Sequence, residues 1–253
     1  MSKSLKRRVF LKQAATLGSL LPFSNSSFAG PGMAQQANHN IVCVGGHPDD
    51  PESGCGGTLL LYAKAGYKVS IVYLTRGEAG IDGKNHDEAA QIRTKESEKA
   101  CSIIGAQPYF AGQIDGSTRF DIPAIRVMQE LLTKLKPDIL FAHWPIDSHP
   151  DHQVASLLSI QSWLRMKKSF AIYFFEVDSG SQTMNFNPTH FVDITPVEVQ
   201  KKQALYSHTS QDPDGIYLNH HLIMQQFRGR EIGVNHAEAF MRFDAEQMVL
   251  SAE

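Results

Sequence analysis

The stretch that decides the fold is His47-Pro-Asp-Asp-Pro-Glu-Ser-Gly-Cys-Gly-Gly-Thr58. It follows an apolar run at residues 41–44, which predicts a short buried strand, and it precedes an apolar run at residues 59–63, which predicts a helix. A histidine and two adjacent carboxylates therefore lie where a strand ends and a helix begins. In open parallel α/β sheets the loops at the carboxyl ends of the strands form the ligand crevice, so this stretch is well placed for chemistry.

Strand-like and helix-like segments alternate from residue 38 onward, which is typical of βαβ units. Right-handed crossovers commonly place the fourth strand beside the first, where the direction of winding reverses. The pattern predicts an α/β fold with a mostly parallel sheet and an active site at the carboxyl ends of strands 1 and 4. Further strands are expected at residues 68–74, 108–111, 138–142, 170–175 and 190–194, and helices at 88–104, 125–135, 152–166 and 195–206, whereas residues 207–243 are harder to assign.

A second polar cluster, His149-Pro-Asp-His152, follows the predicted fourth strand. Zinc takes imidazole nitrogens and carboxylate oxygens, and catalytic zinc sites usually have three protein ligands and one open position. His47, Asp50 and His152 would make such a set, and the same ligands accept other divalent ions. Because either cluster alone is more often a solvated turn, a non-catalytic site or a site for a different metal remains an alternative.

Three further side chains in these clusters fit the hydrolysis of an amide. Zinc lowers the pKa of its bound water to about 7, and Asp49, next to the ligand Asp50, is the candidate base for the second proton of that water. His149 could stabilise the oxyanion and protonate the leaving amine, with Asp151 orienting its ring. The sequence therefore predicts Asp49, His149 and Asp151 as catalytic residues.

The amino terminus predicts an export signal that is not part of the fold. Arg7 and Arg8 precede an apolar segment at residues 14–23, and small residues near Ala29 have cleavage spacing. Paired arginines indicate twin-arginine export, and the apolar run is too short to remain as a membrane span. We expect residues 1–35 to be this signal and a short linker, cleaved after Ala29 or Ala34, and residues 36–253 to be one domain. The mature protein would be periplasmic or secreted, without a stable membrane anchor, and a disordered basic tail is the alternative.

Charge and cysteine usage argue against two other classes of protein. The formal net charge is −2, but the first 35 residues carry five basic and no acidic groups, which leaves a net charge of −7 on the remainder. Such a balance argues against a nucleic-acid binder. Cys43, Cys55 and Cys101 have apolar neighbours and no Cys-x-x-Cys spacing, so buried thiols are expected, and not a disulfide framework or a thiolate metal site.

Together these motifs resemble the PIG-L (LmbE-like) family of zinc-dependent N-acetylglucosaminyl deacetylases. The resemblance implies a Rossmann-like three-layer sandwich and one zinc ion per chain, held by His47, Asp50 and His152. It also implies that Asp49 is the general base and that His149 is the acid and oxyanion stabiliser. The matching stretches are His47-Pro-Asp-Asp-Pro-Glu52 with Gly56-Gly-Thr58, Thr75-Arg-Gly-Glu78, Arg93-Thr-Lys-Glu96, His149-Pro-Asp-His152 and Ala204-Leu-Tyr-Ser-His208-Thr-Ser-Gln211.

The resemblance also implies contacts with a sugar. Arg93 and Asp115 match positions that contact sugar hydroxyls in the family, and a guanidinium and a carboxylate suit a polyol. A surface charge on a helix and an aspartate in a turn are the alternative interpretations, and the same choice applies to Arg76. His208 is expected near the mouth of the crevice. The remaining histidines at 143, 220, 221 and 236 are interpreted as structural or surface residues, because three ligands already complete the site.

The predicted function is removal of an N-acetyl group from an amino sugar or a glycan fragment by an exported zinc hydrolase. One alternative is a zinc amidohydrolase for a non-sugar amide, which would need the metal ligands but not Arg93 or Asp115. A second is an inactive sugar-binding relative, although binding alone needs neither the base Asp49 nor the acid His149. The expected partner is a small amino sugar or glycan, and relatives of this kind often form homo-oligomers.

Overall fold

The computed structural model describes residues 39–243, in which seven strands form one sheet between two layers of helices. The strands are β1 (Asn40–Gly45), β2 (Lys68–Tyr73), β3 (Ala106–Phe110), β4 (Ile139–His143), β5 (Ala171–Phe175), β6 (His190–Asp193) and β7 (Ala237–Arg242). The α-helices are α1 (Asp50–Gly54), α2 (Gly56–Lys64), α3 (His86–Ile104), α4 (Ile122–Leu135), α5 (Pro150–Arg165), α6 (Glu198–Leu205), α7 (Pro213–Ile216) and α8 (Leu222–Ile232). Short 3₁₀ turns lie at Thr195–Val197 and Thr209–Gln211, and a π-helical turn lies at Tyr217–His221.

The strand order is β3-β2-β1-β4-β5-β7-β6. Strands β1 to β5 pair in parallel, whereas β7 runs antiparallel to both β5 and β6. Val44 at the end of β1 lies opposite Ala142 of β4, so the predicted pairing of the first and fourth strands is confirmed. The α/β fold with a mostly parallel sheet is confirmed as well. Because β1 and β4 are parallel neighbours, the loops that follow them leave the sheet at the same edge.

Strand β1 contributes to two separate cores, because alternate side chains of a strand point to opposite faces. Ile41 and Cys43 pack in one core with residues of α2 and α3. Val42 and Val44 pack in the other with residues of α4 and α5. Both faces of the strand are covered, which explains why its sequence is apolar throughout and does not alternate. Burial of each large aliphatic side chain contributes about 1.5–3 kcal/mol to folding.

The region that the sequence pattern did not assign contains the inner strand β7. This strand carries Glu238, a buried carboxylate that lies 2.8 Å from Nζ of Lys201. A charged residue facing the core interrupts the apolar pattern by which a buried strand is recognised. The helix predicted at residues 195–206 is divided into a 3₁₀ turn and α6, and Pro196 lies in that turn.

A close approach of α1 to the sheet places the first polar cluster against the strand ends. A Cβ atom on Gly54 would lie 2.5 Å from Cδ2 of Phe175, so the position has room only for glycine. The three cysteines are free and buried, as predicted. Within residues 39–243, no helix combines the length and the apolar character that a membrane span requires. The export signal, its cleavage sites and the domain boundary after residue 35 lie outside the described residues and stay predictions.

Candidate active site

Loops from the carboxyl ends of several strands surround one cavity of about 510 Å³. Its volume is within the range of small-molecule sites. The loop after β1 contributes His47, Asp49 and Asp50, and the segment after β4 contributes His149 and His152. The full set of lining residues is His47, Asp49, Asp50, Ser53, Ala79, Gly80, Arg93, Asp115, His149, His152, Val177, Asp178, Gln182, Gln211, Ile216, His220 and His221.

One carboxylate oxygen, Oδ2 of Asp50, lies at the centre of the buried part of the site. It lies 3.2 Å from Nδ1 of His47 and 3.3 Å from Nε2 of His152. It also accepts the backbone N–H of His47 at 2.8 Å, and Nε2 of His143 lies 3.3 Å away. All four side chains are buried. The three predicted metal ligands are therefore in mutual contact through one oxygen atom.

Carboxylates hold the outer nitrogen of both histidines in the predicted ligand set. Nε2 of His47 lies 3.0 Å from Oδ2 of Asp151 and 3.2 Å from Oδ1 of Asp115. Nδ1 of His152 lies 3.2 Å from Oδ1 of Asp147. Metal-binding histidines usually donate their second ring N–H to such a partner, which fixes the ring and its tautomer. The opposite nitrogens, which face the shared oxygen, are thus oriented as metal ligands are.

The charges of the site favour a cation. Burial alone would raise the pKa of the Asp50 carboxyl, but the imidazoles of His152 and His143 hold that pKa well below its ordinary value. Burial alone would lower the pKa of His152, but Asp50 and Asp147 raise it to about 9. Burial and the charge of His152 lower the pKa of His143 to about 4. Because the carboxylates attract a proton to this place, a metal ion would compete with that proton for it.

The residues present fit a divalent transition-metal ion. Two imidazole nitrogens and one carboxylate oxygen form the ligand set of many catalytic zinc sites, whereas calcium and magnesium prefer oxygen alone. Three overlapping groups offer ligand atoms within 4.8 Å of one another, namely His47 with His149 and His152, Asp50 with His143 and His152, and His47 with Asp115 and Asp151.

Asp49 lies beside these ligands in a backbone conformation that is rare for residues other than glycine. Its φ is 111°. Its N–H donates to Oε2 of Glu52 at 3.2 Å, and its Oδ2 accepts from Nη2 of Arg93 at 2.9 Å. Burial raises the pKa of the Asp49 carboxyl, although the Arg93 charge opposes the change. A partly buried carboxylate that is held by an arginine and has a raised pKa suits a general base.

Arg93 holds the loop that carries Asp49. It is 3% exposed, and its Nη2 donates to the carbonyl of Pro48 as well as to Asp49. A Cβ atom on Gly77 would collide with the Arg93 guanidinium, and Gly77 has a φ of +68° that favours glycine. The motif that contains Gly77 thus leaves room for this arginine. Arg93 also lines the cavity, so the sugar contact predicted for it stays a prediction.

His149 is the N-cap residue that directly precedes helix α5, and it lines the cavity. Its Nδ1 accepts the backbone N–H of Asp151 at 3.2 Å, and this hydrogen bond assigns the proton of the neutral ring to Nε2. Burial lowers the pKa of His149, and the neighbouring His47 and His152 lower it further. The ring is therefore a neutral N–H donor, which suits the stabilisation of an oxyanion.

Asp151 contacts a different histidine from the one predicted. Its carboxylate lies against Nε2 of His47 and accepts from Oγ1 of Thr118 at 2.5 Å and from the N–H of Gly116 at 2.8 Å. The predicted orientation of the His149 ring by this carboxylate is corrected accordingly. Asp151 lies in the first turn of α5, where its backbone N–H, and not its side chain, reaches His149.

The two other predicted sugar contacts differ in their positions. Asp115 lines the cavity, lies against His47, and accepts the N–H of Ala79 at 3.1 Å. Arg76 is exposed, and its guanidinium lies 5.3 Å from the centre of the Phe110 ring. Arg76 is not among the lining residues, so its position does not support the contact with substrate predicted for it.

Two residues of the buried site, His143 and Asp147, were not predicted to act there, and a third, His208, was expected at a different place. His143, interpreted as structural, contacts the shared oxygen of Asp50. Asp147 orients His152 and also accepts the backbone N–H of His149 at 2.8 Å. His208, expected near the mouth, is fully buried, and its Nε2 lies 3.2 Å from Oε1 of Glu52. His143 is the last residue of the apolar strand β4, close to the edge of the sheet where the first cluster follows β1, and this position is a signal that could have identified it.

Comparisons with known proteins identify the family to which the chain is similar. The family model described as GlcNAc-PI de-N-acetylase (PIG-L) matches residues 42–163. Diacetylchitobiose deacetylase of Thermococcus kodakarensis is 31% identical over 195 residues, which cover 70% of this chain and 72% of that protein.

Two solved structures give the same fold. The N,N'-diacetylchitobiose deacetylase from Pyrococcus horikoshii, complexed with its inhibitor MPG, has a TM-score of 0.71 and 27% identity, with 80% of this chain and 83% of that chain covered. The 4-carboxy-2-hydroxymuconate hydratase from Pseudomonas putida has a TM-score of 0.72 and 21% identity, with 85% of this chain and 100% of that chain covered. The second likeness shows the fold alone, because the fold supports more than one reaction.

Proposed function

This chain belongs to the PIG-L family of deacetylases, which are hydrolases of amide bonds, and we propose that it is a zinc-dependent enzyme that removes an N-acetyl group from an amino sugar or a glycan. The observation that carries the proposal is Oδ2 of Asp50, which touches His47 and His152 while carboxylates hold the outer nitrogens of both rings. The relatives named for diacetylchitobiose support an amino sugar as the substrate.

The residues next to the metal ligands supply the proton transfers. Zinc held by His47, Asp50 and His152 would act as a Lewis acid and lower the pKa of a water to about 7. Asp49 accepts a proton from the attacking water, and Arg93 keeps the carboxylate in place. The Nε2–H of His149 donates to the carbonyl oxygen of the amide as negative charge develops there.

Asp49 also supplies the proton that the leaving amine needs. Nδ1 of His149 already accepts the N–H of Asp151, so the neutral ring has no extra proton to give. The oxygen of the water bonds to the acetyl carbon, the C–N bond breaks, and the proton on Asp49 passes to the amine nitrogen. The products are acetate and a free amino group. This proposal moves the acid role from His149, where the sequence analysis placed it, to Asp49.

Acetate release from a panel of N-acetylated sugars tests the proposal. The full-length protein is assayed with one equivalent of zinc, and again after removal of the metal with a chelator. We expect release that stops with the chelator and returns with zinc, and that is absent in a zinc-loaded Asp49→Asn variant. Release that is unaffected by metal removal would contradict the proposal, and zinc-loaded protein that leaves every sugar intact would favour the non-sugar amide.

We further propose that the protein is exported by the twin-arginine route and forms homo-oligomers. The support for export is the pair Arg7 and Arg8 before an apolar segment. Replacement of both arginines by lysine should leave the unprocessed protein in the cytoplasm, as shown by cell fractionation and the size of the chain. Light scattering of the processed protein measures the oligomeric state, and a monomer at micromolar concentration would contradict the second part.

A further inference from the structure

The cavity has a second wall that takes no part in the proposed chemistry. It is formed by the connection between β5 and β6 and by the π-helical turn before α8, and we call it the distal wall. Its polar members are Asp178, Gln182, His220 and His221, of which His221 is buried. These residues line the same cavity as the metal ligands, so a bound molecule can contact both. Because they belong to a different wall, they face a part of that molecule other than its reacting amide.

One ring nitrogen of His220 in the distal wall is held by a carboxylate, and the other is available to a ligand. Nδ1 of His220 lies 2.6 Å from Oδ1 of Asp178, and the two side chains are 42% and 18% exposed. Among residues 39–243, no hydrogen-bond partner occupies Nε2 of His220. A ring that is held through one nitrogen has lost rotational freedom before a ligand arrives, so its other nitrogen is preorganised for binding.

The backbone of the distal wall is built for this arrangement. Asp178 has a φ of 43°, in the left-handed region that aspartate tolerates better than most residues. Its carbonyl accepts the N–H of Gln182 at 2.8 Å, and the next residue, Ser179, donates its N–H to Sδ of Met224 at 3.2 Å. His220 lies in a π-helical turn, a feature that often occurs at functional sites.

The charges of the cavity indicate what the distal wall binds. Four carboxylates line the cavity, at Asp49, Asp50, Asp115 and Asp178, whereas the guanidinium of Arg93 is the single Lys or Arg charge among the lining residues and already pairs with Asp49. With a divalent ion bound and neutral histidines, the formal charge would be −1. An anionic ligand is therefore disfavoured, and hydroxyl groups suit the donors and acceptors of a histidine, a carboxylate and an amide.

We propose that Asp178, Gln182 and His220 bind the second sugar unit of an uncharged glycan, so that the preferred substrate has two or more units. This inference rests on the proposed function, because it takes the first unit to be the N-acetylated sugar at the metal ligands. Nε2 of His220 and the amide of Gln182 bind hydroxyl groups of the second unit. Asp178 holds the histidine and disfavours carboxylate groups at the same place.

The test compares three N-acetylglucosamine compounds, namely the monosaccharide, its uncharged disaccharide and a glycoside with a carboxylate on the second group. We expect the zinc-loaded protein to have the highest kcat/KM for the disaccharide. His220→Ala and Gln182→Ala should each lower kcat/KM about ten-fold more for the disaccharide than for the monosaccharide. Asp178→Asn keeps a side chain suited to the positive φ but removes the negative charge. It should therefore reduce the difference in kcat/KM between the disaccharide and the carboxylate glycoside.

An exposed histidine–aspartate pair at the opposite end of the sheet provides the control. Nδ1 of His39 lies 3.4 Å from Oδ2 of Asp138, so His39→Ala removes a similar contact far from the cavity and should change none of the three values. Equal losses for the monosaccharide and the disaccharide, or a preference for the carboxylate glycoside, would overturn the inference.

Binding without turnover separates this inference from the proposed function. Calorimetry with the disaccharide and zinc-loaded Asp49→Asn protein should give a dissociation constant that His220→Ala raises about ten-fold. Binding that depends on His220 in a protein that releases no acetate would leave the distal wall in place and reject the deacetylase. Acetate release together with disaccharide binding that does not change in His220→Ala would support the deacetylase and reject the role of the distal wall.

Discussion

Two buried networks of charged residues in this molecule, around Glu238 and around Asp50, differ in the size of the cavity beside them. Around Glu238, one oxygen accepts the N–H of Gly57 at 2.8 Å and lies 2.8 Å from Nζ of Lys201, while the other accepts the N–H of Thr58 at 2.7 Å. The adjoining cavity measures about 10 Å³, room for one water at most. Around Asp50, three imidazoles share one oxygen beside a cavity of about 510 Å³.

The difference shows how buried charge relates to function. The Glu238 network matches one carboxylate with one ammonium and two backbone donors at the start of α2, so it stabilises the joint between β7, α6 and α2. The Asp50 network has more imidazoles than one carboxylate oxygen can satisfy, and it borders a space that a ligand can enter. We therefore expect changes in the Asp50 network to affect metal and turnover, and changes in the Glu238 network to affect stability.

The largest expected effect is the loss of turnover in Asp49→Asn. Asparagine tolerates positive φ better than alanine does, but it cannot accept a proton, so kcat should fall about 10³-fold while the zinc content stays at the wild-type level. Acetate release and metal analysis measure the two quantities. His152→Ala should instead lower both of them. Retention of more than a tenth of wild-type kcat in Asp49→Asn would contradict the assignment of the base.

A change in the Glu238 network should lower stability and leave turnover unchanged. Lys201→Met leaves a buried carboxylate without its ammonium, which should lower the free energy of unfolding by about 3–5 kcal/mol. Urea denaturation measures this change, and kcat of the folded protein should stay the same. Adding Glu238→Gln should recover part of the stability, because the uncompensated charge is then removed. A loss below about 1 kcal/mol would show that the pair is not a stabilising contact.

Arg93→Lys should affect catalysis without removing the charge. A lysine ammonium cannot reproduce the two contacts of the guanidinium, with the Pro48 carbonyl and with Asp49, so the base loses its fixed position. We expect kcat to fall about 100-fold with zinc retained. Arg76→Ala is the matched control, because Arg76 lies outside the cavity lining and should leave kcat nearly unchanged. The same loss in both variants would point to general electrostatics and not to positioning.

Asp147→Asn should weaken metal binding by about 10–100-fold, as is typical when the partner of a metal-binding histidine is removed. The expected cause is loss of the carboxylate that faces Nδ1 of His152 at 3.2 Å. Competition with a chromogenic chelator measures the zinc affinity. Asp82→Asn, at an exposed position, serves as the control. Unchanged affinity in Asp147→Asn would mean that His152 needs no such partner.

The smallest expected effect is a dependence of stability on pH through His221. Burial lowers the pKa of His221 from 6.5 to about 3, helped by the charge of Lys201. The unfolded chain binds this proton below pH 6.5 and the folded chain does not, so folding stability is lost as the pH falls. Between pH 7 and pH 5 the loss from this group is about 2 kcal/mol. Urea denaturation should show a shallower pH dependence in His221→Phe than in the exposed control His39→Ala, and equal slopes would contradict this assignment.

Strong local patterns were sufficient to predict the fold. The apolar run before His47 and the one before the second cluster predicted β1 and β4, because a parallel strand buried on both faces must be apolar throughout. Loops that follow adjacent parallel strands leave the sheet at the same edge. For this reason His47, Asp50 and His152 were predicted to meet. The strand β7 escaped prediction because Glu238, at an inner position, is acceptable there only through Lys201, which lies far away in the sequence.

The sequence by itself thus determined the kind of sheet, the edge that carries the site and the residue types that meet there, since each depends on local pattern and on chirality. The tertiary structure alone decided which atoms face one another. It placed the Asp151 carboxylate on His47, the Arg93 guanidinium on Asp49, and His143 on the same oxygen as His152. These contacts join residues separated by 104, 44 and 93 positions in the sequence (47 to 151, 49 to 93 and 50 to 143), and no local propensity encodes contacts over such separations. They arise only when burial of both faces of the sheet brings the strand ends together.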